Sequence, residues 1–149
     1  MTNSDESYPA QVLAEGTGSG SALRLDGPIS FWGGIEPCSG AIIDVHHPQA
    51  GTIVTGAVIL LSAVRGSNAG GVVLLECTRQ GTPPSAIVLN EPNQILTIGS
   101  IIGKEIYGVG VPIVVLPGDI TRLIGNGDHV TVVASPGAGR VQVTASAER

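Results

Sequence analysis

Aromatic side chains are scarce in this sequence, since one Trp, one Phe and two Tyr make up 3% of its 149 residues. The core must therefore be built from Val, Ile, Leu and Ala, a composition that suits strands covered by short helices. Charged residues are also few, at 13%, whereas hydrophobic residues reach 42%, which excludes a disordered chain. Such a low charge on a chain of one-domain length indicates that part of the surface is not meant for water, and a subunit interface is one explanation.

Clusters of Lys and Arg are absent and the net charge is −5, which argues against a nucleic-acid partner. Residues 1–8 are polar and acidic rather than basic and then apolar, so they do not read as a secretory signal. The longest apolar stretch, residues 52–64, is shorter than the ~20 residues that a membrane-spanning helix needs. We therefore expect a soluble, cytoplasmic protein with neither a nucleic-acid nor a membrane partner.

Only two cysteines are present, Cys38 and Cys77, and they form no CxxC pair. The three histidines do not complete the spacing of a metal site either. The sequence thus predicts two buried, reduced thiols and no metal site in this chain. Because an iron–sulfur cluster commonly takes four thiolate ligands, this chain alone cannot hold such a cluster.

Glycine- and proline-rich segments divide the chain into short elements. Strands are predicted at residues 11–14, 22–25, 42–45, 85–89, 111–116, 129–134 and 140–144, and one or two strands at 52–64. Helices are predicted at 68–80, where the pair of valines leaves a strand as the alternative, and at 93–107, with a helical turn at 120–124. A flexible Gly/Ser turn is predicted at residues 16–21. The alternation of strands and helices predicts a largely parallel layer covered by helices, with a second β layer from the chain ends and no second domain.

The sequence Arg65-Gly66-Ser67 interrupts the apolar pattern between a buried strand and a predicted helix. Helix N-termini attract carboxylates, Arg65 could pair with a carboxylate through two hydrogen bonds, and Gly66 permits a close approach of backbone to ligand. Ser67 would then lie where a base is needed. The alternative is that Ser67 only caps the helix, the commoner role of Ser at such a position, although Gly70 stands where a capping box would have Glu or Gln.

A second loop contains the only Phe and the only Trp, in the run Ser30-Phe31-Trp32-Gly33-Gly34. These aromatic rings are either core residues or the wall of a pocket or partner interface. A third polar cluster places His47 before a proline. Here the alternatives are a histidine that makes loop hydrogen bonds and one that shuttles protons.

Taken together, these segments resemble the small subunit of the aconitase-X family. The resemblance covers roughly residues 20–116. Its matching features, in order, are residues 28–35, Gly40, residues 42–44, His47-Pro48, Gly51, Arg65-Gly66-Ser67, Leu75-Glu76, residues 81–86, Gly99 and residues 112–114. The combination of Ser-Phe-Trp-Gly-Gly with Arg-Gly-Ser in that order is specific, whereas either motif alone would be weak.

The resemblance implies an α/β fold, a single compact swivelling β/β/α domain like the fourth domain of aconitase. This domain is expected to span residues 10–149 after a flexible N-terminus of residues 1–9. Ser67 is expected to be the catalytic base, and Arg65, Gly66 and Asn68 are expected to contact the substrate. The resemblance further implies a large partner subunit that carries an iron–sulfur cluster or iron, with neither bound by this chain alone.

The reaction implied by the resemblance is a dehydration of a hydroxylated carboxylate by a hydro-lyase that is active only with its large subunit. The low charge content does not suggest a hyperthermophilic source, which favours cis-3-hydroxy-L-proline, converted to Δ1-pyrroline-2-carboxylate, as the substrate. The alternative substrate is mevalonate 5-phosphate. Two other classes remain open: a non-catalytic assembly or regulatory module, and a carboxylate-binding domain that acts alone.

Overall fold

The structure is a computed structural model, and it describes residues 5–27, 29–62, 64 and 69–146. Its strands and helices, in chain order, are β1 (Asp5–Ala14), β2 (Gly16–Leu25), β3 (Ile35–Glu36), β4 (Ala41–Ile42), β5 (Val58–Leu61), α1 (Gly70–Gln80), β6 (Ala86–Leu89), α2 (Gln94–Tyr107), β7 (Ile113–Val115), α3 (Gly118–Thr121), β8 (His129–Ser135) and β9 (Ala138–Thr144). The predicted helices at 68–80 and 93–107 therefore agree with α1 and α2 to within two residues.

Seven strands close into a barrel in the order β1-β7-β6-β5-β2-β8-β9. In one half, β2, β5, β6 and β7 run parallel to one another. In the other half, β1, β9, β8 and β2 pair antiparallel. With α1 and α2 packed outside the parallel half, the domain has the β/β/α arrangement of an α/β fold, as the sequence predicted.

Alternating side chains of the parallel strands divide the interior into two cores. Val58 and Leu60 of β5 point into the barrel, whereas Ile59 and Leu61 point outward to the helices. This is the period of two expected for a strand that is buried on both faces. Both cores consist mainly of Val, Ile, Leu and Ala, as the composition required.

The prediction of a flexible turn at residues 16–21 is wrong, because these residues belong to the long strand β2. A Cβ atom at Gly18 would lie 1.9 Å from the Ser85 carbonyl oxygen, and one at Gly20 would lie 2.2 Å from the Gly56 carbonyl oxygen. These glycines therefore let neighbouring backbone segments cross β2 at close range, rather than making a turn.

Two further boundaries differ from the sequence predictions. Strand β1 begins at Asp5, so residues 5–9, for which the sequence predicts a flexible N-terminus, pair with β9 instead. Of the apolar stretch 52–64, only Val58–Leu61 forms a strand of the barrel, and Ile53 makes an isolated bridge to Ala41.

None of the helices in the described part of the chain is both long and apolar enough to span a membrane.

Candidate active site

The carboxyl ends of the four parallel strands meet at one edge of the barrel. Leu25 of β2 pairs with Leu61 of β5, Leu61 with Leu89 of β6, and Leu89 with Val115 of β7. In α/β folds, ligands bind in the crevice outside the carboxyl ends of parallel strands. The segments that follow these four strands are therefore the first place to look for functional side chains.

The segment after β5 contains the predicted catalytic motif. Arg65, Gly66, Ser67 and Asn68 lie outside the described residues, so their side chains have no described position. Their flanks are described: Val64 forms a parallel bridge to Ile29 beyond the carboxyl edge, and α1 begins at Gly70. The residue at the N-cap position of α1 is Ala69, whose side chain makes no capping hydrogen bond. Both alternatives for Ser67, the catalytic base and the helix cap, stay predictions.

Two polar side chains that the sequence analysis missed tie α3 across this edge of the barrel. The Arg24 guanidinium donates hydrogen bonds to the carbonyl oxygens of Thr121 and Ile124. Nδ2 of Asn90 donates to the Leu116 carbonyl at 3.1 Å and to Oγ1 of Thr121 at 3.0 Å. Arg24 is the penultimate residue of β2 and Asn90 directly follows β6. A polar residue at or next to the carboxyl end of a strand is the signal that could have found them.

A cavity of about 190 Å³ opens at the same edge, between Arg24, Asp26, Ser62 and Asn90. Sites that enclose a small molecule usually measure about 300–1,000 Å³. The cavity is therefore too small to enclose a small molecule and could form only one side of a binding site.

A larger cavity, of about 540 Å³, lies at the other end of the domain. Its lining includes Gly16 at the start of β2 and Ser135 at the end of β8, together with Lys104 near the end of α2. Because this is the amino end of the parallel strands, the larger cavity lies away from the segment that carries the predicted motif. Size alone therefore does not identify the functional edge.

The loop of residues 30–34 lies beside the amino end of α1. Phe31 is buried in the core, and a Cβ atom at Gly70 would be 3.6 Å from Cβ of Phe31. Trp32 points outward and is 59% exposed. Ser30 Oγ donates to the Trp32 carbonyl at 3.0 Å, which fixes the turn that presents the indole ring. Phe31 is thus a core residue, whereas the role of Trp32 in a pocket or partner interface stays a prediction.

Two glycines shape this loop. Gly33 has a φ of 75°, in the left-handed region. A Cβ atom at Gly34 would lie 2.0 Å from the Ser30 carbonyl oxygen, so only glycine fits there. The Gly34 carbonyl in turn accepts a hydrogen bond from the Ile43 amide at 2.8 Å, which joins this loop to the segment that contains His47.

His47 is 7% exposed and has one unsatisfied nitrogen. Its Nδ1 accepts a hydrogen bond from the Gln49 amide at 3.0 Å, so a neutral ring carries its proton on Nε2. Nε2 is buried and has no hydrogen-bond partner among the described residues. The Gln49 side chain is hydrogen-bonded to the carboxyl end of β2. Its Oε1 accepts from the Asp26 amide at 2.7 Å, and its Nε2 donates to the Arg24 carbonyl at 2.8 Å.

The two thiols differ in environment, so the prediction that both are buried is half wrong. Cys77 of α1 is buried and Cys38 is exposed. Burial raises the pKa of the Cys77 thiol, and a hydrogen bond with the Thr82 side chain offsets part of the rise. Cys77 is therefore a neutral core group. Within the described ranges, no three His, Cys, Asp or Glu side chains are grouped so as to hold a metal ion.

Glu76, a carboxylate on the middle of α1, is engaged by its own helix. Nε of Arg79 donates to it at 2.8 Å and Nε2 of Gln80 at 2.7 Å. These hydrogen bonds hold the pKa of the Glu76 carboxyl down to about 2, so it stays ionised at neutral pH. An ionised carboxylate of this kind has little capacity as a base.

Comparison with known proteins relates this chain to one protein family and to two kinds of dehydratase. Residues 7–143 match the protein family described as Aconitase X swivel domain. The chain is 41% identical over 106 residues to cis-3-hydroxy-L-proline dehydratase of Pseudomonas aeruginosa, a match that covers 71% of the chain but 18% of that protein. It is 35% identical over 140 residues to the phosphomevalonate dehydratase small subunit of Methanopyrus kandleri, covering 93% of the chain and 90% of that subunit. The chain thus spans less than a fifth of the first relative and most of the second.

Among solved structures, the fold is similar to that of Thermococcus kodakaraensis aconitase X in its holo-form, with a TM-score of 0.79. The match covers 93% of this chain and 98% of that one at 24% sequence identity. At such an identity the likeness shows the fold alone, and it agrees with the β/β/α arrangement described above.

Proposed function

Because the chain belongs to the aconitase X swivel domain family, we propose that it is the small subunit of a two-subunit hydro-lyase and supplies Ser67 as the base of a dehydration. The family match also confirms the resemblance found in the sequence. Relatives that this chain covers almost entirely are named small subunits, which supports a large partner chain for this one. The two unpaired thiols of the described chain fit a reducing, cytoplasmic location for the complex.

The observation that carries the proposal is the position of the two flanks of the motif. Val64 lies beyond the carboxyl edge of the parallel strands, and Ala69 lies at the amino end of α1. The four residues between them must connect these two points. The first turn of α1 contains no acidic residue, so the positive end of its dipole is not neutralised from within the helix. An anionic substrate and a serine alkoxide are both favoured at such a position.

In the proposed reaction, Ser67 as an alkoxide removes the proton α to the substrate carboxylate. The electron pair of that C–H bond forms the new C=C bond as the C–O bond breaks, and the β-hydroxyl leaves as hydroxide, which takes up a proton to become water. Arg65 binds the carboxylate through two hydrogen bonds and stabilises the charge that develops on it. Gly66 lets the backbone approach the substrate, and Asn68 offers an amide for a further hydrogen bond. A free serine hydroxyl is a poor base, so the site must be closed and dry. The cavity of about 190 Å³ at this edge cannot enclose a substrate alone, which supports closure by another chain.

The loop of residues 30–34 and His47 are proposed to form part of the same wall. Phe31 packs beside the amino end of α1, and its neighbour in sequence, Trp32, has an exposed side chain. The buried Nε2 of His47 is a donor without an acceptor among the described residues. Such a donor costs about 1–3 kcal/mol when it is left unpaired. An acceptor supplied by the substrate or the partner would remove that cost.

The iron–sulfur cluster or iron that the resemblance implies does not fit the described residues of this chain. Cys77 is on the buried side of α1, Cys38 lies on the surface, and the described part contains no group of three side chains that could hold a metal ion. We therefore assign the group to the large subunit. The steps proposed for Ser67 and Arg65 do not run through it.

Two substrates are supported by different observations. The higher sequence identity is with a cis-3-hydroxy-L-proline dehydratase, which favours conversion of that imino acid to Δ1-pyrroline-2-carboxylate. The match in length is with phosphomevalonate dehydratase small subunits, which favours mevalonate 5-phosphate. Assaying the assembled complex with both compounds distinguishes them, since the two differ in size and in the presence of a phosphate.

The role of Ser67 is tested by Ser67→Ala in the assembled complex. Loss of a general base lowers kcat by about 100-fold to 10,000-fold, whereas assembly with the large subunit should be unchanged. Ser135→Ala, at an exposed position on the opposite end of the barrel, is the matched control and should retain full turnover. Near-normal turnover of Ser67→Ala in a correctly assembled complex would show that another group is the base.

A further inference from the structure

The outer surface of the helical layer carries an apolar region as well as the Glu76–Arg79 ion pair of α1. We define the helical face as Val72 and Leu75 of α1 with Ile95, Ile98, Ile102 and Ile106 of α2. The four isoleucines are spaced by three, four and four residues, so they form one stripe along α2. Val72, Ile98 and Ile106 are 62%, 52% and 60% exposed. An apolar groove between the helices, lined by Gly71 and Gly99, joins the two halves of the face.

Helix α2 is apolar on both sides, which is unusual for a surface helix. Leu96, Gly99, Ser100 and Gly103 form its buried side, and the isoleucine stripe faces outward. Residues 94–103 contain no charged side chain at all. A surface helix normally carries charged or polar residues on its outer side, and a helix that is hydrophobic all round is a buried one. The sequence of α2 is therefore that of a helix covered on both sides.

The size of the helical face matches that of a stable interface. From the exposed fractions of its side chains, the face presents on the order of 500 Å² of apolar surface. A standard interface covers about 800 Å² on each partner, of which a little over half is apolar. The face is thus large enough to be the apolar part of one side of such an interface.

The comparisons and the fold together indicate what covers it. In the Pseudomonas aeruginosa relative, more than four-fifths of the polypeptide lies outside the region matched here, and that remainder is available to pack on the domain. Val72 lies only three residues beyond Ala69, so a chain seated on the face also reaches the amino end of α1. The proposed site must be closed there by another polypeptide. A second copy of this chain would cover the face but would not contribute that larger polypeptide.

We infer that the helical face is the docking surface for the large subunit, whose complementary surface is apolar and uncharged opposite Ile98 and Ile102. This inference rests on the proposed function, because it takes the large subunit to be the partner. It adds where that partner binds. The isoleucine stripe of α2 then contributes stability only when the large subunit covers it, and this accounts for isoleucines at exposed positions of the isolated chain.

Charge substitutions in the stripe test the inference. Ile98→Glu and Ile106→Glu each introduce a charge at a half-exposed position, so the isolated chain should fold with an unchanged circular dichroism spectrum. Each should weaken binding to the large subunit by about 70-fold in sedimentation or calorimetric titrations, the scale expected when about 100 Å² of apolar contact is lost. Ser135→Glu, at an exposed position on the opposite end of the barrel, is the control for the added charge and should bind within about threefold of the unsubstituted chain.

The possible outcomes separate this inference from the proposed function. Unchanged affinity of both isoleucine variants would overturn the docking surface, even if Ser67→Ala abolished turnover. A self-association of the isolated chain that Ile98→Glu removes without affecting large-subunit binding would assign the face to a second copy instead, which also overturns it. Selective loss of affinity, with turnover restored at saturating concentrations of the variant, supports the inference. Normal turnover of Ser67→Ala would contradict the proposed base, while the affinities of the isoleucine variants would still decide where the large subunit docks.

Discussion

Replacing Gly99 with alanine should destabilise the domain, even though alanine is the better helix former. Gly99 of α2 lies directly against Gly71 of α1. A Cβ atom at position 99 would be 2.5 Å from the Gly71 carbonyl oxygen and 2.9 Å from its Cα. Both are backbone atoms and cannot rotate away, so the two helices would have to separate by roughly 1 Å to restore van der Waals distances.

Two opposing effects set the magnitude. Alanine improves the helix propensity of the position by about 1 kcal/mol. Overpacking of a tight contact costs about 1–3 kcal/mol and sometimes more, and here separation also loosens the contacts along the rest of the helix pair. We expect a net loss of about 1–2 kcal/mol in the free energy of unfolding, or a fall in Tm of roughly 3–6 °C for a domain of this size.

Gly103→Ala in the same helix is the matched control. A Cβ atom there would be 3.4 Å from Cγ2 of Thr78 and 3.4 Å from the Val109 carbonyl oxygen, distances that neighbours can accommodate with little movement. This variant should gain most of the free energy that alanine contributes through its higher helix propensity. Its free energy of unfolding should equal that of the natural sequence or exceed it by up to ~1 kcal/mol. Urea denaturation followed by circular dichroism gives the unfolding midpoint of each variant, and a difference in midpoint reports stability when the m-value is unchanged. Equal or greater stability of Gly99→Ala relative to Gly103→Ala would refute the close-contact argument.

Two further predictions concern the candidate site and the core. Gly34→Ala should displace the Ser30 carbonyl, shift the fluorescence of Trp32, the only Trp of the sequence, and lower turnover in the assembled complex. At Gly33 a Cβ atom meets nothing within 4 Å, so Gly33→Ala should cost only the ~1–2 kcal/mol of strain that a left-handed conformation imposes on alanine. Equal effects of the two substitutions would contradict the steric reasoning. Because burial raises the pKa of Cys77 above its ordinary 9.0, the folded state holds the thiol proton more tightly, so this contribution to stability is complete below about pH 9 and is lost as the pH rises through the raised value. The free energy of unfolding should therefore fall at alkaline pH more steeply for the natural chain than for Cys77→Ala, and identical slopes would show that the thiol is not desolvated.

Local signals predicted the helices well because their ends are chemically marked. Asn93 caps α2 by accepting a hydrogen bond from the Leu96 amide at 2.9 Å, and Gly81 and Gly108 end the two helices in the left-handed conformation. Propensity and end signals act within a few residues and are visible in a single sequence. The extended Gly/Ser run of β2 was not predicted as a strand because its glycines serve crossings with Gly56 and Ser85, which are distant in sequence.

Periodicity predicted that α2 is a helix but not which side it buries. The isoleucines at 95, 98, 102 and 106 dominate the hydrophobic pattern, yet the buried side is lined by Leu96 and by small residues. Small side chains are buried there because α1 approaches at Gly71, a contact that hydrophobicity does not encode. A stripe of large apolar residues is normally taken for the core-facing side, and here it marks a surface left for a partner.

The candidate site was predictable in its motif but not in its surroundings. The Arg65–Asn68 motif was found from residue types and resemblance, and its side chains lie outside the described residues, so their roles stay predictions. Arg24 and Asn90 were missed because their importance comes from α3, which they reach across the barrel end. Contacts between elements far apart in the chain cannot be read from local spacing.

Asp5 of β1 and Thr144 of β9 stand opposite each other, and Oγ1 of Thr144 donates to the Asp5 carboxylate at 2.9 Å. The first and last strands therefore deliver both ends of the described chain to one corner of a barrel that is already closed. Joining another polypeptide at that corner requires only a tether and leaves every strand pairing intact. Gene fusion and gene splitting can accordingly exchange one arrangement for the other, which accounts for relatives in which this domain is a separate chain and others in which it is a fraction of a long one.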